Sequence, residues 1–250
     1  MDRTAAASPE FEAFAADGVL VLGGAAAILL QLADPVVSQG VAAHSAFARD
    51  PMRRLRTTLS YVYSISLGTG RQAERMAQLV DRSHQGVPGA ADPERQLWVA
   101  ATLYRVGVEL YEQVRRTLPV AVADEIHVAF ERLGTALQVP AGAWPADRAS
   151  FETYWTDAVA GLVVTDPART VARQLLRPRA IPWWTRPAMP LVRTVTTGLL
   201  PDRIRDAYGL SWHPRRFRAA IAVVRVLARL TPRRLSELPS RRLLARIPAH

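Results

Sequence analysis

Residues 71–89 read RQAERMAQLVDRSHQGVPG. The apolar positions Ala73, Met76, Ala77 and Val80 recur at spacings of three and four, the period of a helix with one buried face, and His84 continues that face. Gly86 and Pro88 then stop the helix. The same period recurs along the chain. Leu97, Ala101, Tyr104, Val108 and Tyr111 form a stripe within 96–118, and Ile126, Phe130, Leu133 and Leu137 form another within 120–139. Thr165-Asp166-Pro167 reads as a capped helix start with proline in the first turn. His213-Pro214 opens a long basic helix that ends before Thr231-Pro232. No segment alternates as a strand does, so the expected class is all-α.

The chain has 250 residues, enough for one large domain with a well-buried core. We expect a tail over 1–14 and a single domain over 15–245. There is no cysteine, which removes disulfides, thiolate metal sites and thiol nucleophiles. All 32 basic residues are arginine, so lysine bases and Schiff bases are excluded too. Charge is unevenly spread. Residues 1–168 hold 14 arginines and 19 acidic residues, a balance of −5; residues 169–250 hold 18 arginines and 3 acidic residues, a balance of +15. Such asymmetry points to a polyanion or an anionic membrane surface, or to arginines paired and solvated within the fold. The N-terminus lacks a signal-peptide pattern, and the apolar run Val19–Ala33 is short for a membrane span and contains Gly23-Gly24. A buried helix and a cytoplasmic protein are expected.

One long segment, LLRPRAIPWWTRPAMPLVRTVTTGLLP (175–201), carries five prolines and reads as irregular. Its Trp183-Trp184 pair suits packing on the helical body or a membrane interface.

Two of the five histidines, His44 and His84, fall on small-residue, inward helix faces; a core role and a ligand role are both open to each. His127 sits one position off its apolar stripe and reads as a flank residue. His213 reads as a cap or surface residue. Arg53, Arg56 and Thr57 share one narrow helix face with Ser60, opposite Met52, Leu55, Leu59 and Val62. That face is either solvated or an anion-binding group with a hydroxyl donor. No HExxH, metal-spaced His/carboxylate cluster, phosphate loop or GxSxG occurs. A single histidine facing an apolar cavity suits an axial haem ligand.

Five segments in order resemble the mpaB/rubber-oxygenase (latex-clearing protein) catalytic domain family: LLQLADPVVSQGVAAHSAFARDPMRRLRTT (29–58), HQGVPG (84–89), DPERQLWVAATLY (92–104), YWTDAV (154–159) and LLPDRIRDAYGLSW (199–212). The resemblance spans about residues 15–245. It implies an all-α fold with some likeness to globins, a b-type haem, and oxygenation of an apolar substrate. Rubber-cleaving members cleave polyisoprene double bonds, and fungal mpaB members cleave a prenyl side chain. The family's Arg-x-x-Lys-Thr signature stands here as Arg53-x-x-Arg56-Thr57. The axial iron ligand then falls on His84, with His44 as its competitor. Arg53, Arg56 and Thr57 become cofactor contacts, Arg53 and Thr57 also orienting a propionate or dioxygen. Arg56 replaces a lysine that can ligate iron; a guanidinium has no lone pair to give, so the sixth site is expected open or water-filled. Where relatives often carry Trp-Val-His, this chain has Ala100.

The first expectation is therefore a haem b-dependent oxygenase taking dioxygen and an apolar, possibly isoprenoid or lipid, small molecule, with possible peripheral membrane contact. The alternative is a catalytically silent member of the same fold that holds a hydrophobic ligand or partner. Nucleic-acid binding through the basic third is disfavoured, because RRFRAAIAVVRVLARL (215–230) is amphipathic rather than groove-reading.

Overall fold

The structure is a computed structural model. It describes residues 8–43, 51–178 and 183–248, with backbone alone for 51–54 and 184. Among the described residues there are fourteen α-helices, two 3-10 turns and no strand, as the periodicity requires.

The centre is α6 (Pro93–Val114). Asp92 caps it, accepting from the Glu94 N–H at 2.9 Å, and Pro93 occupies the first turn, where its missing N–H costs nothing. Trp98, Ala101, Leu110 and Val114 are buried on it. Around α6 pack a 3-10 turn over 18–23, α2 (Gly24–Leu32), α7 (Val120–Thr135) and the long basic helix α12 (Pro214–Leu230). The expected buried helix at 19–33 is thus a 3-10 turn followed by α2, with Leu29, Leu30 and Leu32 sealed from solvent. No single helix among the described residues is long and apolar enough to cross a membrane.

Three readings change. Residues 9–14, expected in a tail, belong to α1 (Pro9–Ala16). Ser8 caps it, accepting from the Phe11 N–H at 3.0 Å, and Phe14, 0 % exposed, packs edge-on against Tyr111 with centroids 5.1 Å apart. Two buried phenylalanines, each worth about 2–3 kcal/mol on burial, explain why this segment joins the core. The proline-rich segment 175–201 is not irregular throughout: Met189–Gly198 is helix α10, started by Pro190 and carrying buried Val195 and Thr196. Trp183 on the preceding 3-10 turn is 79 % exposed. Finally, His127 is no flank residue. It is 2 % exposed on α7, among Tyr104, Trp144 and Phe151 with ring centroids 5.4–5.9 Å away. The loop after α7 folds back over that flank, and His127 Nε2 donates to the Pro145 carbonyl at 2.8 Å.

The ends of the chain are tied to the body by one polar knot. Arg115, at the end of α6, donates to Asp17 through Nε at 2.7 Å and to the Ala228 carbonyl of α12 through Nη1 at 2.6 Å. Ser236 donates to Asp17 at 2.7 Å. Burial pushes the Asp17 carboxyl up, but the Arg115, Val19 N–H and Ser236 hydrogen bonds outweigh it and hold the group below its ordinary range. At the C-terminal end, Gln72 Nε2 donates to the carbonyls of Leu244 and Ile247 at 3.1 and 2.9 Å.

Candidate functional site

His84 is the last residue of α5 (Gly70–His84), which follows α4 (Pro51–Leu67) in an antiparallel pair. Thr69 starts α5 with a capping box to Gln72, fixing the turn between them. Arg53 precedes Gly68 by 15 residues and His84 follows Thr69 by 15. At about 1.5 Å per residue, both lie some 20 Å from the turn, at the same end of the hairpin. The topology thus brings the Arg53-Arg56-Thr57 segment level with His84. Arg56 is exposed and Thr57 half-buried, while Arg53 contributes backbone alone to the description. Further along the same α4 face, Ser64 is fully buried, so this polar face runs from solvent at its N-terminal half into the core. His44 lies outside the described residues.

The His84 ring is half-buried with Nδ1 shielded from solvent. The chain leaves it through two glycines in the left-handed region, Gly86 (φ +79°) and Gly89 (φ +73°), which L-side chains adopt at a cost. These give the HQGVPG segment its shape. It docks on α3 (Pro35–Ala43) through small residues: a Cβ at Gly40 would stand 3.1 Å from the Pro88 oxygen and 3.3 Å from Val87 Cγ1. A Cβ at Gly89 would stand 2.5 Å from Val36 Cγ1. Arg95 completes the clasp, pairing with Asp92 and, at 3.5 Å, with Asp34. Asp34 in turn caps α3, accepting from the Val36 and Val37 N–H groups at 2.8 and 2.9 Å.

A second tie runs from α5 to the same turn. Gln138 donates to Asp81 at 2.7 Å, one turn before His84, and exchanges hydrogen bonds with Gln96. Gln96 donates on to the Ala90 carbonyl at 2.8 Å. Beside it opens a cleft of about 370 Å³, lined by Ile65, Ala73, Ala77 and Ala136 together with the polar Glu74, Gln78, Asp81 and Gln138. Along α5 its lining ends at Asp81, three residues before His84.

The sequence reading did not single out Asp34, Arg95, Gln96 or Gln138. The signal for Asp34 was present: Asp34-Pro35 is a capped start with proline in the first turn, of the kind noted at Thr165-Asp166-Pro167, whereas nothing marks Arg95. The amide pair carries no signal in one dimension.

The five segments quoted above meet in space. Trp98 stacks on Trp155 with centroids 5.2 Å apart and donates to the Leu30 carbonyl at 3.2 Å. Tyr208 donates to the adjacent Leu29 carbonyl at 2.8 Å. In the last segment, buried Arg205 lies over the Trp212 ring at 4.3 Å. The end of α2 is thus the joint on which the segments close.

The residues fit a haem with one protein ligand in their donor chemistry. One imidazole stands at a helix end with a nitrogen turned from water, and the helix paired with its own carries exposed Arg56. Among the described residues no three His, Cys, Asp or Glu side chains come together, the arrangement a multi-ligand metal centre requires.

Comparison with known proteins agrees with the order of the segments. The profile that matches the chain is that of an oxygenase catalytic domain, and it covers residues 12–230. The chain belongs to that family, ER-bound oxygenase mpaB/B'/Rubber oxygenase, catalytic domain. It is similar to two mycobacterial proteins, the uncharacterized protein Mb2261 of Mycobacterium bovis and the uncharacterized protein Rv2237 of Mycobacterium tuberculosis. Each is 36 % identical over 227 residues, covering 84 % of this chain and 89 % of the relative. No solved structure matches it at a significant level.

Proposed function

We propose that this chain is a haem b-dependent oxygenase acting on dioxygen and an apolar small molecule, and that His84 is the axial ligand. The observation that carries the reading is the position of His84 at the end of α5, level with the Arg53-Arg56-Thr57 segment and clasped in place through Gly89, Arg95 and Asp34. Bound haem supplies an iron centre that activates dioxygen. The protein's part is positioning. The Gln96–Gln138–Asp81 chain and the Arg95 clasp hold α5 and the turn after His84 in one arrangement, so the ring is presented without rearrangement. Arg53 and Arg56 would offer guanidinium groups to the propionates, and Thr57 a hydroxyl donor. Arg56 would give the iron no ligand, since a guanidinium has no lone pair to offer.

The test is the absorption spectrum of the protein produced with haem supplied, beside His84→Ala and His44→Ala. A Soret band lost in His84→Ala and kept in His44→Ala supports the assignment. Loss in His44→Ala alone moves the ligand assignment to His44. A folded protein that takes up no haem removes the reading and favours a silent member that holds an apolar ligand.

A further inference from the structure

Helix α12 has three faces. Phe217, Ala220, Ile221 and Val224 turn to the core. On the side next to them, Val223, Val226, Leu227 and Leu230 are spaced three and four apart and are 50–74 % exposed. On the third side Arg218, Arg225 and Arg229 form an exposed ridge. A solvated helix carries polar residues where this one carries four large aliphatic side chains, so the strip calls for a covering partner.

Charge decides which partner. The helix holds five arginines and no acidic residue, and Arg233 and Arg234 follow at once. Two copies meeting face to face through this strip would set these arginines against one another, a like-charge contact that weakens association. Nucleic acid would use the ridge and leave the aliphatic strip bare. An anionic lipid surface uses both: aliphatic side chains enter the boundary of the acyl region while arginines reach the phosphates beside it. The helix is also held rigidly, by its core face and by the Arg115 donation to Ala228 and the Arg225 donation to the Gln113 carbonyl, so the strip is presented preformed.

We infer that α12 docks the protein on an anionic bilayer, with Val223, Val226, Leu227 and Leu230 seated in the interface and Arg218 and Arg229 on lipid phosphates. The inference stands apart from haem binding and rests on none of the residues assigned to it.

The experiment is co-sedimentation of the full chain with vesicles of phosphatidylcholine, alone and with about one third phosphatidylglycerol. Val226→Glu/Leu230→Glu and Arg218→Gln/Arg229→Gln alter exposed side chains, and circular dichroism melts verify that each variant is folded. The wild type is expected to pellet with anionic vesicles and weakly with neutral ones. The arginine pair should cost about thirtyfold in partition at low salt, and the glutamate pair should abolish it. No partition onto anionic vesicles, partition unmoved by either pair, or salt-sensitive DNA binding that only the arginine pair weakens would each overturn the inference. So would a lipid-free dimer that the glutamate pair dissociates, since a second copy would then cover the strip.

Discussion

Replacing Gly89 with alanine should damage the turn that follows His84, and the structure says by how much. Two glycines in this turn are left-handed, yet only one is crowded. A Cβ at Gly86 meets nothing within 4 Å, so Gly86→Ala pays the left-handed term alone, about 1–2 kcal/mol. A Cβ at Gly89 meets Val36 Cγ1 at 2.5 Å and Arg95 Cδ at 3.2 Å. The arginine stem can swing away, but Val36 belongs to α3, and moving it means moving the helix. Overpacking of that kind adds about 1–3 kcal/mol, so Gly89→Ala should lose about 2–5 kcal/mol in all. The crowding is separable, because Val36→Ala removes the offending methyl. In a double-mutant cycle, Val36→Ala should recover about 1–2 kcal/mol in the Gly89→Ala background. Urea unfolding of the four proteins reads both quantities. Equal losses for Gly86→Ala and Gly89→Ala, with no coupling to Val36, would refute the docking of this turn on α3.

Other consequences follow from the polar contacts. Asp17 has a folded-state pKa below its ordinary value, so the stability it contributes is present above about pH 3.8 and is lost as pH falls through the folded value; Asp17→Asn should lower stability at neutral pH by about 2–3 kcal/mol and flatten the acid limb of a stability–pH curve, both read by thermal melts. Tyr208→Phe should cost about 1 kcal/mol, since the Leu29 carbonyl keeps the Ala33 N–H at 3.1 Å; Trp98→Phe should cost more, because the hydrogen bond to Leu30 goes together with part of the buried ring that overlaps Trp155. Chemical denaturation ranks the two, and the reverse order would contradict the closing of the segments on α2.

Much of the fold was legible from spacing. Helix α12 begins at Pro214 and ends at Leu230, where the sequence placed it, because proline starts and stops are local signals. The helix ending at His84 was equally clear from its apolar period and the glycines beyond it. What escaped depends on partners distant in the chain. His127 looks like a flank residue until the loop carrying Trp144 and Pro145 covers it. The segment 175–201 looked irregular because prolines were counted as breakers, whereas Pro190 stands in a first turn, where proline is at ease. For the site, the residue types and their order were visible, but not the clasp. That Arg95 reaches back to Asp34, and that Gln96 and Gln138 exchange hydrogen bonds across 42 residues, follows only from the packing of α3, α6 and α7.

The central claim is that His84 is a ligand and not a structural end of α5. Imidazole rescue of His84→Gly separates the two. The variant removes the ring and leaves a space that free imidazole fills. The account predicts a folded variant with no Soret band after haem is supplied, and recovery of the band as imidazole is added. A His84→Gly protein that binds haem as the wild type does, with a spectrum indifferent to imidazole, would contradict it.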